Sequence, residues 1–132
     1  MSTITFEDSG TPLKRSRNRK GETSGEQLRR MCVGIADSIT SPEMVTFHDG
    51  EAGEKRQETA SDWMEGVYDI RYIVDREKRY YSAEMMVAGG GPTIWVSLND
   101  MEVQGYWGGH RVNVPVTDNL GLDDYCEDMY GC

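Results

Sequence analysis

Long apolar runs are missing from this sequence. No stretch approaches the ~20 residues that a membrane span needs, and the first residues carry no apolar core of the kind found in secretory signals. Cysteine is scarce and odd in number, three in 132 residues. That argues against a disulfide framework and for a reducing compartment, so the expected location is the cytoplasm. Histidine is scarcer, with His48 and His110 alone. Cys126 and Cys132 lie six apart with no CxxC and no histidine at ligand spacing, so neither a metal nor any other cofactor is expected. The acidic segment 118–128 lacks the alternating ligand positions and central glycine of a calcium loop. Gly89-Gly90-Gly91-Pro92 is followed by neither Gly-Lys-Ser/Thr nor a helix-opening GxGxxG, which leaves it a turn and not a phosphate cradle.

What the chain has in quantity is charge, unevenly placed. Lys14, Arg15, Arg17, Arg19 and Lys20 put five positive charges in seven residues. Residues 21–132 hold nine basic and 21 acidic side chains, a net of −12. Residues 1–21 are polar and aperiodic and read as a flexible basic arm; residues 22–132 read as one acidic domain, large enough for a modest core.

Within that domain, 67–116 is a succession of short alternating segments. Tyr68, Ile70, Tyr72 and Val74 fall on one face of the first, and Tyr81, Ala83, Met85 and Val87 on one face of the second. Thr93–Leu98, Met101–Trp107 and Val112–Val116 complete five strands, joined by polar or glycine-rich links too short for crossovers. Pro115 points to an edge position for the last strand. Ahead of the strands, Leu28, Met31, Cys32, Ile35 and Ile39 form the stripe of an amphipathic helix from Ser24, with Gln27 completing a capping box. Residues 43–47 form a short strand, 48–57 a polar loop, and 59–64 a helical turn capped by Thr59 or Ser61. After the strands, a final helix capped by Thr117 or Asp118 turns Leu122, Tyr125, Cys126 and Met129 inward. The expected fold is α+β: an antiparallel meander sheet of about five strands with an N-terminal and a C-terminal helix packed against it.

In that last helix Asp123 with Glu127, and Asp124 with Asp128, are like-charge pairs at i, i+4, each costing a few tenths of a kcal/mol. Two readings fit: charge kept for a purpose, or a solvated end whose weak helicity costs nothing.

The runs Gly90-Gly91-Pro92-Thr93-Ile94-Trp95-Val96 and Glu102-Val103-Gln104-Gly105-Tyr106-Trp107-Gly108, with the acidic ending Asp123-Asp124-Tyr125-Cys126-Glu127-Asp128-Met129-Tyr130, resemble small acidic accessory proteins carried by phages and plasmids. The resemblance covers roughly residues 66–130. It implies an origin in mobile DNA, where such proteins block host defence in the manner of antirestriction and anti-CRISPR proteins.

Three functions follow as expectations. The first is a non-enzymatic inhibitor that binds a host defence nuclease or CRISPR effector through an acidic surface, because carboxylates along a helix can stand in for phosphates. Its candidate residues are Asp118, Asp123, Asp124, Glu127 and Asp128, with Glu51, Glu54, Glu58 and Asp62 as a second patch. The second is nucleic-acid association through the arm at Lys14, Arg15, Arg17, Arg19 and Lys20, which the acidic body opposes. The third is a small enzyme using His110, partly exposed at a strand start, with Cys126 or a carboxylate nearby.

Overall fold

The computed structural model describes residues 21–42, 44–46 and 55–132. Helix α1 spans Ser24–Thr40. Its N-cap is Thr23, whose hydroxyl accepts from the Glu26 N–H at 3.1 Å while the Glu26 carboxylate accepts from the Thr23 N–H at 2.9 Å. The capping box thus lies one residue ahead of the expected Ser24/Gln27 pair, and Ser24 itself is fully buried. The helix stops before Pro42, as a proline requires of its predecessor.

Strands β1 (Met44–Thr46) and β2 (Lys55–Gln57) pair antiparallel as a separate two-stranded ribbon, so the end of the expected polar loop is a strand. Helix α2 (Ala60–Met64) is a short helix with Thr59 as N-cap, its capping box closed by Asp62. The five-stranded sheet follows: β3 (Asp69–Val74), β4 (Tyr80–Ala88), β5 (Thr93–Ser97), β6 (Glu102–Trp107) and β7 (His110–Pro115), in spatial order β3-β4-β5-β6-β7, every neighbour antiparallel. Helix α3 (Leu122–Tyr130) ends the chain.

Register explains which residues form the core. Ile70, Met85, Val96, Val103 and Val114 are successive partners across all five strands, and Ile94, Gly105 and Val112 form the next row. These rows face α1 and α3, which both cover this side of the sheet, α1 over β6 and β7 and α3 over β4. Leu28, Cys32, Ala36 and Ile39 of α1 and Leu122 and Cys126 of α3 close the core. Each fully buried Leu, Ile, Met or Val here contributes about 1.5–3 kcal/mol relative to exposure. At Gly105 α1 comes close to the sheet: a Cβ there would stand 2.5 Å from the Cys32 sulfur.

Strict alternation fails in several places, among them a ladder shift between Met86 and Ala88. The ladder shifts between Ile73 and Val74, so Tyr81 has no partner and stands 66% exposed instead of joining the core. Met101 sits at φ 53° in the β5–β6 turn, where the Asp100 N–H donates to the Ser97 hydroxyl, and it also faces outward. Met129, placed inward by helical spacing, is 45% exposed.

The opposite face of the sheet carries no described helix. There the Arg71 guanidinium lies 4.5 Å over the Trp95 ring and Arg111 5.6 Å from Tyr106, both within cation–π range. No helix among the described residues is long and apolar enough to cross a membrane.

Candidate functional site: the acidic face of the C-terminal helix

The local sequence before α3 sets its start. Gly121 adopts φ 84°, a left-handed conformation that glycine takes without strain, and has no capping side chain of its own. Asp118 supplies the cap from three residues earlier: one carboxylate oxygen accepts from the N–H groups of Gly121 (3.0 Å) and Leu122 (2.9 Å), the other from that of Asp123 (3.0 Å). Of the two expected caps, Thr117 and Asp118, it is therefore Asp118 that serves, with both of its oxygens accepting from backbone donors. Because the helix begins at Leu122, Asp123 and Asp124 lie in its first turn, where the macrodipole favours them. Glu127 and Asp128 lie in the second half, where it does not.

Leu122 and Cys126 turn inward, and the Cys126 sulfur sits 3.9 Å from that of Met85. A tyrosine cluster fixes the far end of the helix: the Tyr130 ring is 5.2 Å from Tyr72 and 6.1 Å from Tyr80, and its hydroxyl donates to the Lys78 carbonyl at 2.6 Å. The Tyr80 hydroxyl donates to Asp123 at 2.7 Å; burial, then the neighbouring Asp123, raises its pKa above the ordinary tyrosine value.

With α3 held by that face, Asp123, Asp124, Glu127 and Asp128 all project into solvent. Asp123 shares one oxygen with Tyr80. Among the described residues no cation pairs with Asp124, Glu127 or Asp128; the ion pairs are Arg30–Glu22, Arg71–Asp69 and Arg79 with Asp75 and Glu77, none on α3. Four carboxylates over the roughly 7.5 Å rise from 123 to 128 give on average one charge every ~2.5 Å along the helix axis. Duplex DNA carries one per ~1.7 Å.

Helix α2 touches α3 and is tied to α1 by the Trp63 indole N–H donating to Ser38 at 3.0 Å. This brings the half-buried Glu58 and Asp62 onto the helix layer with α3. Burial, then the charge of Asp62, raises the Glu58 pKa above the usual carboxylate value. Asp62 caps α2, and the exposed Glu65 at the helix end adds an acid to this patch that no sequence signal distinguished. Glu51 and Glu54, and the basic cluster Lys14, Arg15, Arg17, Arg19 and Lys20, lie outside the described residues. Beside the start of α3, an open cleft of about 450 Å³ is lined by Tyr81, Ser82, Leu98, Asn99, Met101, Asp118 and Asp123.

No protein family, curated protein or solved structure matches the chain.

The remaining chemical candidates are dispersed by the fold. His110 is 4% exposed, not partly open as expected, because its side chain points to the helix-covered face at the β6–β7 turn. Cys126 packs on β4, three strand spacings from β7, about 14 Å away. The two do not form a nucleophile and base. Burial pushes the Cys126 thiol up to about 11, with Asp123 and Asp118 adding, and the Cys32 thiol up to about 12, the reverse of an activated thiolate. No group of three or more His, Cys, Asp or Glu among the described residues is arranged to hold a metal.

Proposed function

We propose that this chain is a non-enzymatic inhibitor, of the kind carried by phages and mobile elements, that lays the acidic face of α3 onto the basic nucleic-acid groove of a host defence nuclease or CRISPR effector. The observation that carries the reading is the row of exposed carboxylates at Asp123, Asp124, Glu127 and Asp128, whose mean axial spacing of ~2.5 Å lies between the ~1.7 Å of duplex phosphates counted over both strands and the ~3.4 Å of one strand. The helix tolerates two like-charge pairs and two acids against its dipole to keep them. Glu58, Asp62 and Glu65, on and flanking α2, add negative charge to the helix layer that α2 shares with α3. Opposite fields accelerate such an encounter and make it salt-dependent.

The test is a competition assay in which the chain is titrated against duplex DNA for binding to restriction nucleases and guide-loaded CRISPR effectors, at low and high salt. Inhibition that weakens steeply with salt and is lost in the Asp124→Lys/Glu127→Lys/Asp128→Lys variant supports the reading. Inhibition that survives this reversal in a folded protein refutes it. Loss of inhibition on deleting 14–20 alone moves the contact to the arm.

A further inference from the structure

The two edges of the five-stranded sheet differ. β7 carries Pro115, which has no N–H to offer a further strand. β3, with the sequence Asp69-Ile70-Arg71-Tyr72-Ile73-Val74, has neither proline nor lysine, and no described strand pairs with its outer side. Its free groups can be assigned. The Leu98 N–H donates to the Ala83 carbonyl at 3.0 Å, so the odd-numbered residues of β4 bond to β5 and the even-numbered ones to β3. Ser82, Glu84 and Met86 pair with Ile73, Arg71 and Asp69. The N–H and C=O of Ile70 and Tyr72 therefore point outward, unpaired within the described sheet. At the start of this edge Tyr68 stands 75% exposed.

We propose that this edge binds a second copy of the same chain, β3 against β3, antiparallel and centred on Ile70. Every two-fold register centred on a residue keeps like faces together, and those centred on Ile70, Arg71 and Tyr72 overlap most of the strand. Centring on Arg71 sets Arg71 directly against Arg71, which is repulsive. Centring on Tyr72 opposes Arg71 to Ile73 and runs into the ladder shift between Ile73 and Val74. Centring on Ile70 sets Asp69 opposite Arg71 of the second copy, and Arg71 opposite its Asp69, two ion pairs generated by one symmetry. These side chains are 50% and 67% exposed and open to such contact.

The same register brings Tyr68, whose own N–H is taken by the Met86 carbonyl at 2.8 Å, toward Tyr72 of the second copy. It makes four main-chain hydrogen bonds: Ile70 N–H to Ile70 C=O and Tyr72 N–H to Tyr68 C=O, each both ways. The contact is isologous and closes on itself, giving a continuous ten-stranded sheet. Its two-fold axis stands perpendicular to the sheet, so both helix layers lie on one side. Since α3 covers β4 and its Tyr130 touches Tyr72 of β3, the two acidic helices flank the seam. The dimer stands independently of the inhibitor reading.

The test is the solution mass of the full chain at about 100 μM, where weak self-association is populated by mass action. The expected result is twice 14.9 kDa. Asp69→Arg and Arg71→Asp each turn two attractions into two repulsions and raise the dimer dissociation constant about tenfold or more. The double variant Asp69→Arg/Arg71→Asp restores opposite charges and with them the dimer. Hydrogen exchange of the Ile70 and Tyr72 amides should slow as protein concentration rises. A monomeric wild-type chain overturns the proposal, as does a dimer that both single charge variants leave intact while far-UV circular dichroism shows them folded.

Discussion

Replacing Gly105 with alanine probes the close approach of α1 to the sheet. Gly105 lies on β6 between Ile94 and Val112, facing α1, and the added Cβ would meet the Cys32 sulfur at 2.5 Å, Leu28 Cδ1 at 3.0 Å and Leu28 Cγ at 3.3 Å. A separation of 2.5 Å is more than an ångström inside the attractive range for non-bonded heavy atoms, about 3.5–4.0 Å for carbon. Neither Leu28 nor Cys32 has exposed surface into which to retreat. The helix must lift from the sheet, and overpacking of this kind costs about 1–3 kcal/mol. Against a total stability of about 5–15 kcal/mol this is a large fraction.

The partner experiment is Cys32→Ala, which removes the obstructing sulfur and by itself leaves a small void, costing about 1 kcal/mol. In the double variant the new methyl fills the space the sulfur left, so the two effects must couple. Urea unfolding of the four proteins in the cycle, with linear extrapolation, measures this directly. The expected coupling is about 1 kcal/mol or more in the direction of relief. Strict additivity would show that α1 does not rest on Gly105 and would refute the packing described above.

Asp118→Ala leaves the N–H groups of Gly121, Leu122 and Asp123 without their acceptor and should cost about 1–2 kcal/mol; hydrogen exchange in 122–126 should accelerate more than exchange in β5. A wild-type exchange pattern would contradict the capping role. The buried thiols predict a pH dependence. Cys32 and Cys126 have pKa values raised from 9.0 to about 12 and about 11, so the folded state holds these protons more tightly than the unfolded one. Their contribution is fully present below about pH 9 and declines as pH rises toward 11 and beyond; alkaline urea titrations of the wild type and of Cys126→Ala should diverge in this window. At pH 8 a maleimide should label Cys132, which is exposed, and leave the two buried thiols unmodified until the chain unfolds.

Periodicity and turn chemistry determined most of the architecture. Alternation in 67–116, the glycine and polar links, and the stripe from Leu28 to Ile39 specify strands, helices and an antiparallel meander, because a period of two and a period of 3.6 cannot be satisfied by the same backbone. Pro115 marked an edge for the reason that it lacks a donor. The clustering of carboxylates after residue 117 was also legible, since charge is a local property of composition.

Only the tertiary structure decided which of those carboxylates are free. Asp118 was legible as a candidate cap, alongside Thr117, and the left-handed turn at Gly121 folds it onto the helix N-terminus; Asp123 was indistinguishable in sequence from Asp124 and Asp128, but the packing of α3 on β4 brings it to Tyr80. The exposures of Tyr81 and Met101 and the burial of His110 were likewise decided by a ladder shift, a turn and the cover that α1 lays over β7. An apolar or polar pattern assigns a residue to a face of its own element. Which face finds cover, and which charge finds a partner, depends on elements far away in the chain, as Tyr80 and Asp123 lie 43 residues apart.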